Sequence, residues 1–275
     1  MKTQVQLKAI KVIVDVITNV VLRAPLFVSI FFLGGCISQN TQNSWGGGVS
    51  WPSATDLGTA AKKAATDPKT WVPVVAAGVL LATDLDEDWS EDLYEDQPIF
   101  GEDAQDRSDD LRDLATGVYL ITALAAPSDS IQDKLKGLSV GAGTMLLDGV
   151  LSQGLKDVVG RDRPDASNDE SFPSGHASKA SSRTAMAIRN LEHMEINSGL
   201  RTTANVMLHG VALGTGLARV EAGKHHLSDV LAGYALGQFV AGFMHHAFMQ
   251  EDSSVQISFT PYQDGGGLTV TLPLR

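Results

Sequence analysis

Apolar residues return every three or four positions along most of the chain. This is the period of a helix that turns one face toward a core. We therefore predict helices over residues 56–66, 69–83, 105–125, 131–160, 174–195, 199–220 and 226–249. Pro127 and Pro173 fall between predicted helices, where proline ends a helical pattern. The pattern predicts an all-α fold, a helical bundle over residues 56–250.

The period changes to two near the C-terminus. Two stretches alternate apolar and polar positions, Val255-Ile257-Phe259 and Leu268-Val270-Leu272. An aspartate and three glycines lie between them, which is typical of a β-hairpin. We predict a short C-terminal β-hairpin within residues 251–275. Because a lone hairpin is marginal in water, we expect it to pack on the helices or on a partner.

Several apolar stretches raise the question of membrane spans. They are Val72–Thr83, Ala115–Pro127, Val206–Ala218 and Val230–Met249. The first three are shorter than the roughly 20 residues that a span needs. The fourth carries Gln238, His245 and His246, and the mean hydropathy of the chain is only +0.01. We predict that all four are core helices of a soluble helical domain.

The N-terminus has the pattern of a secretory signal. A basic segment over residues 1–23 is followed by the apolar run Leu26–Leu33 and then by Gly34, Gly35 and Cys36. The Leu-Gly-Gly-Cys sequence resembles the bacterial lipobox, which implies cleavage after residue 35 and a lipid on the sulfur of Cys36. Cys36 is the single cysteine, so it forms no internal disulfide. An uncleaved anchor with a chance cysteine is the alternative.

The lipobox resemblance implies a bacterial cell-envelope protein held to the membrane by its lipid anchor. Ile37 stands where an aspartate tends to mean retention in the inner membrane, so the resemblance favours the outer membrane, facing the periplasm. Residues 36–55 are rich in Ser, Asn, Gln and Gly, which predicts a flexible tether.

The formal net charge is −11, and no basic cluster is dense enough to grip a nucleic-acid backbone. Much of the negative charge lies in residues 84–113, for which we predict a solvated loop and a short helix at the mouth of the domain. Asp84, Asp86 and Asp88 have the spacing of a calcium loop, but Trp89 occupies the position that requires glycine. We therefore predict no calcium site there.

Three separated motifs carry charged and titratable side chains. In the first, six residues separate Lys156 from Arg163-Pro164. Seven positions are close to two helical turns, so both cations can point the same way before Pro164 takes the chain out of the helix. An anion between the two cations would remove their repulsion. A solvated surface pair is the alternative.

The second motif runs from Ser171 to His176. Pro173 suits a helix start, and Ser174, Gly175 and His176 would then present free backbone N–H groups at a helix N-terminus, which favours an anion. His176 can donate a proton near neutral pH. The alternative is a plain serine-capped helix with a surface histidine.

In the third motif, five residues separate Arg219 from His225, and three separate His225 from Asp229. Asp229 lies one helical turn after His225, so its carboxylate can accept from one ring nitrogen and leave the other free to attack. His226 is also within reach of Asp229. The spacing alone does not decide which histidine is the nucleophile.

Together the motifs resemble the signature of the PAP2 (phosphatidic-acid-phosphatase type 2) superfamily, K-x6-RP, PSGH and SR-x5-H-x3-D. The resemblance implies a helical phosphatase that uses a histidine nucleophile. The sequence departs from the signature at Ala218, which replaces a serine. It also has eight residues between Pro164 and Pro173, fewer than the family usually has.

The resemblance implies a role for each motif residue. The implied phosphate ligands are Lys156, Arg163, Ser174, Gly175 and Arg219. The implied catalytic residues are His225 as nucleophile, Asp229 as the group that orients it, and His176 as the acid that protonates the leaving oxygen and later activates water. We expect no metal and no cofactor. His193, His209, His245 and His246 are interpreted as structural or surface residues.

The resemblance leaves the substrate open, as a lipid phosphate or a small soluble phosphomonoester. Two other functions stay open at this point. Vanadate-dependent haloperoxidases resemble this family and use the same anion cradle. A non-catalytic envelope scaffold lipoprotein is the second alternative.

Overall fold

The structure, a computed structural model, describes residues 44–83, 85–249, 256–262 and 265–271. Eight α-helices and two strands lie in these ranges. They are α1 Ala54–Thr66, α2 Pro68–Leu81, α3 Leu85–Asp96, α4 Ala104–Ala125, α5 Ile131–Val159, α6 Gly175–Glu192, α7 Ser198–Glu221, α8 Leu227–Phe248, β1 Gln256–Tyr262 and β2 Gly265–Thr271, with a 3₁₀ turn at Gly101–Asp103. The predicted helical fold is confirmed, and each of the seven predicted helices is present to within three residues at either end.

Local capping explains where the helices of the site begin and end. The side chain of Ser130 accepts from the Asp133 N–H at the start of α5, and the side chain of Asn197 accepts from the Leu200 N–H at the start of α7. Gly160 ends α5 with a φ of +56°, a left-handed conformation that suits glycine. The chain therefore leaves α5 three residues before Arg163.

Helix α8 is the centre of the bundle and packs against α1, α2, α5, α6 and α7. Its closest neighbour is α6, because two glycines of α8 face the α6 backbone. A Cβ on Gly233 would overlap the Ser174 carbonyl oxygen, and one on Gly237 would overlap the Ser178 carbonyl oxygen. The absence of these side chains lets the two backbones touch.

The prediction of a flexible tether over residues 36–55 is wrong for residues 44–50. Trp45 is only 2% exposed and fills the space beside Gly137, where a Cβ would overlap its ring. Its Nε1 donates to Asn190 Oδ1 at 2.9 Å, and its backbone N–H donates to the Pro127 carbonyl at 2.8 Å. Residues 44–50 thus belong to the folded domain. The predicted signal over residues 1–35 and the lipid-bearing Cys36 lie outside the described residues.

The apolar stretches differ in their burial. Within the described ranges one helix, α8, is long and apolar enough to cross a membrane, and 67% of its most apolar segment is buried against other helices, as predicted for a core helix. The stretch in α2, predicted to be core, is core on one side only, where Ala77 and Leu80 are buried. Val72, Val74, Val75 and Val79 are 46–56% exposed.

The acidic segment is more ordered than predicted, because most of it is helical. Helix α3 turns its other charged residues outward but buries Asp86, together with Ser90. Strands β1 and β2 pair antiparallel, with Gln256 opposite Thr271 and Tyr262 opposite Gly265. That the two strands form the predicted hairpin, packed on the helices or on a partner, stays a prediction.

We expect Gly237→Ala to destabilise the fold, because its Cβ would overlap the Ser178 carbonyl oxygen and lie 2.7 Å from the Ser182 nitrogen. Overpacking of this kind costs about 1–3 kcal/mol or more. Urea unfolding of the two proteins measures the loss. Gly149→Ala is the matched control, since nothing lies within 4 Å of its Cβ and the helix should gain about 0.5–1 kcal/mol. Equal stabilities of the two variants would contradict the close approach of α6 and α8.

Candidate active site

The three predicted motifs meet at one end of the bundle. The C-terminal ends of α5 and α7 and the N-terminal ends of α6 and α8 converge there. A Cβ on Gly175 would lie 3.3 Å from Ser152 Oγ and 3.8 Å from Lys156 Cε, so the start of α6 lies against the end of α5. The Ser174 N–H donates to the Asp229 carbonyl at 2.9 Å, which joins the second motif to the third.

Lys156 and Arg163 come together, although not by the predicted helical spacing. Lys156 lies in the last turn of α5, whereas Arg163 lies in the loop beyond Gly160, where its N–H donates to the Asn168 carbonyl at 3.0 Å. Nζ of Lys156 donates to the Glu170 carbonyl at 3.0 Å. The loop folds back and returns Arg163 to the neighbourhood of Lys156.

These two cations and Arg219 form a positive cluster in an acidic protein. Burial and the charge of Arg163 lower the pKa of Lys156, and the same two causes lower the pKa of Arg219 to about 10. Nε of Arg163 and Nε of Arg219 are buried and have no hydrogen-bond partner in the described part of the chain. Buried donors are almost always paired in proteins. The cluster is therefore suited to an anion.

The second motif forms the predicted helix start with one correction. Ser174 is fully buried and caps α6, its Oγ accepting from the Ala177 N–H at 3.5 Å. Its own N–H is used by the Asp229 carbonyl and is not free for phosphate as predicted. The N–H groups of Gly175 and His176 lie in the first turn of α6, where a helix offers no backbone acceptor for them.

His225 is held as a neutral imidazole. The residue is 1% exposed, and its Nδ1 lies 2.6 Å from the Ser171 carbonyl oxygen. Since a carbonyl only accepts, Nδ1 carries the proton and Nε2 carries the lone pair. Burial first, and then the charge of Arg219, place the pKa of His225 well below its usual value. The neutral ring is thus the favoured form.

Asp229 reaches His225 through an intermediate residue and not directly as predicted. Its Oδ2 accepts from Ser171 Oγ at 2.6 Å and from the His226 N–H at 2.8 Å, and it lies 3.2 Å from His226 Nδ1. Ser171 in turn presents its carbonyl to His225. Of the two candidate histidines, His226 is the one that contacts the carboxylate and caps α8.

Asp86 and Arg161 complete this network, and sequence reasoning missed both. Arg161 donates to Asp229 Oδ1 at 2.8 Å and to Asp86 Oδ2 at 2.9 Å. Asp86 also accepts from the Ser228 N–H at 2.8 Å. Despite its burial, Asp229 keeps a pKa below its usual value, because His226, Ser171 and Arg161 stabilise its charge. Nothing in the sequence distinguishes Asp86 from the other acidic residues of its segment.

His176 is joined by two further residues that sequence reasoning did not single out. Its Nε2 lies 2.9 Å from Asp109 Oδ1 and 2.7 Å from Arg112 Nη1, both on α4. A protonated Nε2 donates to Asp109, whereas an unprotonated Nε2 accepts from Arg112. Burial and the charge of Arg219 lower the pKa of His176 to about 4, although Asp109 acts in the opposite direction.

The segment that holds all three motifs is also the part of the chain that matches a known protein family. Residues 138–252 match the PAP2 superfamily. The resemblance predicted from the motifs is thereby confirmed for this part of the chain. The helices that precede it, α1 to α4, lie outside the match, and two of them supply Asp86, Asp109 and Arg112 to the site described above.

Two individual proteins are similar to the chain. A lipid A 1-phosphatase from Porphyromonas gingivalis is 37% identical over 103 residues, which are 38% of this chain. The chain spans 22% of the length of that relative. The crystal structure of a transmembrane PAP2-type phosphatidylglycerolphosphate phosphatase from Bacillus subtilis is 22% identical, covers 65% of this chain and 94% of its own, and has a TM-score of 0.40.

We expect Arg161→Met to destabilise the domain by about 3 kcal/mol, because two buried carboxylates lose their shared cation. Urea unfolding at neutral pH measures the effect. Arg107→Met is the matched control, since its ion pairs with Asp103 and Asp110 are largely exposed and should contribute less than about 1 kcal/mol. A similar small loss in both variants would show that Arg161 does not hold Asp86 and Asp229.

Proposed function

We propose that this domain is a phosphatase that hydrolyses phosphomonoesters through a phosphohistidine on His225, without a metal ion. The observation that carries the proposal is the bond from His225 Nδ1 to the Ser171 carbonyl. It places a lone pair on Nε2 of a buried, neutral ring whose pKa the nearby Arg219 and Arg163 help to lower. A neutral nucleophile beside fixed positive charge is the arrangement that transfer of an anionic phosphoryl group requires.

In the first step, Nε2 of His225 donates its lone pair to phosphorus, and the bond from phosphorus to the leaving oxygen breaks. His176 gives its proton to that oxygen, so an alcohol leaves. Lys156, Arg163 and Arg219 balance the charge on the other phosphate oxygens, together with the N–H groups at the start of α6. The buried Nε donors of Arg163 and Arg219 would gain their missing partners from those oxygens.

In the second step, water attacks the same phosphorus and the phosphorus–nitrogen bond breaks. His176 takes the proton of the water, and His225 regains its lone pair as inorganic phosphate leaves. Both histidines return to their starting states, so the cycle needs no other reactant. A metal ion would have no step to perform, since three cations already surround the phosphoryl group.

Asp229 acts in this scheme as a positioning residue. Its carboxylate fixes Ser171 through the hydroxyl, and the Ser171 carbonyl holds Nδ1 of His225. A histidine that ionises during attack gains a partial positive charge, which the carbonyl and the nearby carboxylate stabilise. Arg161 keeps Asp229 from moving toward the three cations of the phosphate site.

The similarity to a lipid A 1-phosphatase supports a phosphate ester as the substrate class. We propose that the domain acts in the bacterial envelope, held to the membrane by a lipid on Cys36 and facing the periplasm. In that place it meets both lipid phosphates and soluble phosphomonoesters.

We expect the protein to release phosphate from p-nitrophenyl phosphate in the presence of EDTA, and His225→Ala to abolish this release. His226→Ala keeps the proposed nucleophile and tests the alternative histidine directly. Brief reaction with ³²P-labelled substrate followed by rapid quenching should leave an acid-labile, base-stable label on the wild type and on His226→Ala only. Circular dichroism confirms that both variants are folded.

A label that persists in His225→Ala and disappears in His226→Ala would reverse the assignment of the nucleophile. Activity that EDTA removes and zinc or magnesium restores would contradict the metal-independent mechanism. Halide oxidation after addition of vanadate and peroxide, without phosphate release, would indicate a haloperoxidase instead.

We expect the pH dependence of kcat/KM to report His176. With a pKa of about 4 in the free enzyme, its acid form is lost as the pH rises above that value, so kcat/KM falls. Asp109→Asn removes the carboxylate that raises this pKa, and the fall moves to lower pH. At pH 6, kcat/KM should drop about tenfold for each unit by which the pKa decreases.

The measurement is the ratio of kcat/KM in variant and wild type over the range from about pH 3.5 to 8, so that ionisation of the substrate cancels. Asp110→Asn, on the same helix and exposed, should leave the ratio constant. An Asp109→Asn profile that is lower at every pH by one factor would show that Asp109 does not act through the proton of His176.

A further inference from the structure

Arg219, the phosphate-site cation of the third motif, is held by neutral groups of α4. The residue is 4% exposed, and its Nη1 donates to Gln105 Oε1 at 2.8 Å and to Ser108 Oγ at 3.5 Å. In the part of the chain that the structure describes, no carboxylate forms an ion pair with its guanidinium. Asp109 and Asp165 act on its charge from further away.

Arg161 shows the opposite arrangement. Its guanidinium forms ion pairs with Asp86 at 2.9 Å and with Asp229 at 2.8 Å, so its charge is neutralised within the protein. A hydrogen bond to an amide oxygen fixes a guanidinium without cancelling its charge, because the amide is neutral. Arg219 is therefore oriented by the protein and keeps its charge for an anion.

The amide of Gln105 is fixed at both of its polar atoms. While Oε1 accepts from Arg219, Nε2 donates to Asp109 Oδ2 at 3.4 Å. Because a guanidinium only donates and a carboxylate only accepts, the reverse orientation of the amide would lose both bonds. The other oxygen of Asp109 lies 2.9 Å from His176 Nε2. Gln105 thus links a phosphate ligand to the carboxylate that contacts the proposed acid.

Gln105 also stands between two opposite charges. Asp109 and Arg219 attract each other, and this attraction is stronger beside a buried group than in water. A direct pair between them would take Asp109 away from His176 and would take Arg219 away from a phosphate. The neutral amide gives each of them a partner and keeps them apart.

The position of α4 is fixed by the same end of α7 that carries Arg219. Glu221 is fully buried, and its carboxylate accepts from the Ile99 N–H at 3.1 Å and from the Phe100 N–H at 2.7 Å. These bonds hold the segment that leads into α4, and Gln105 lies in the first turn of that helix. The contact between Gln105 and Arg219 is therefore built into the fold before any ligand binds.

We propose that Gln105 is a positioning residue of the phosphate site, a neutral bridge that orients Arg219 toward phosphate and keeps Asp109 on His176. Its neutrality is the required property, because a carboxylate at this position would pair with Arg219 and compete with phosphate for it. This role rests on the proposed function and deepens it. Gln105 lies outside residues 138–252, the segment that matches the PAP2 superfamily.

The test measures binding of inorganic phosphate to the wild type, Gln105→Glu and Gln105→Met by titration calorimetry near neutral pH. Gln105→Glu keeps the shape and the acceptor but adds a negative charge beside Arg219, so we expect the Kd to rise about tenfold or more. Gln105→Met removes the acceptor, and we expect a rise of about threefold to tenfold, the effect of one lost hydrogen bond. Gln105 is partly exposed, so both variants should fold, which urea unfolding checks.

Gln132→Glu is the matched control for the change in net charge. It lies in the first turn of α5, about 36 Å along that helix from Lys156, and should leave the Kd for phosphate unchanged.

A cycle with Asp109→Asn separates the bridge from a merely structural role. Without the Asp109 carboxylate, Arg219 has no anion to pair with when the amide is lost, so Gln105→Met should raise the Kd by a smaller factor than in the wild-type background. Equal factors in the two backgrounds would overturn the role of Gln105 as a bridge.

A wild-type Kd in Gln105→Glu overturns the proposal, as does a wild type that binds no phosphate. Turnover of p-nitrophenyl phosphate and the label on His225 report on the proposed function separately. If the wild type turns over and both Gln105 variants bind phosphate as it does, the role of Gln105 fails alone. If phosphate binding follows the expected order while His225 takes no label, the phosphatase mechanism fails alone.

Discussion

The site depends on the direct contact between the backbones of α6 and α8. Without side chains at Gly233 and Gly237, the first turn of α8 approaches the serine cap of α6 until the Ser174 N–H bonds to the Asp229 carbonyl. This one bond sets the distance between the second and third motifs. A wider separation of the helices, as larger residues at these positions would impose, would break this bond and separate the second motif from the third.

Two charge clusters of different kind act on His225. In the first, Asp86 and Asp229 share Arg161 and are excluded from water. The other cluster contains Lys156, Arg163 and Arg219. Burial and mutual repulsion lower the pKa values of Lys156 and Arg219. The buried Nε donors of Arg163 and Arg219 have no partner within the described residues. The carboxylates of the first cluster have their partners within the protein, whereas two buried donors of the second do not within the described residues. The first cluster is therefore neutralised internally, and the second is the one suited to an anionic ligand.

The sequence predicted the helices well because their periodicity and caps are local properties. The three motifs that the sequence singled out do lie together in the structure, while the roles of their residues stay predictions. The sequence did not predict that Gly160 takes Arg163 off the helix, nor that Ser171 stands between Asp229 and His225, because both depend on how a loop folds back. Asp86 and Asp109 were hidden among acidic neighbours of the same type, and only tertiary contacts distinguish them. Trp45 was overlooked because its surroundings have the composition of a linker.

The position of Trp45 shows at which end of the bundle the described chain begins. The tryptophan bonds to Asn190 near the C-terminal end of α6, while the proposed phosphate site lies at the N-terminal end of the same helix, about 24 Å away at about 1.5 Å per residue. The described chain therefore begins at the end of α6 that is distant from the proposed phosphate site. Whatever holds the domain through the residues before Ser44 therefore joins it at the Trp45 end, about 24 Å along α6 from the proposed phosphate site.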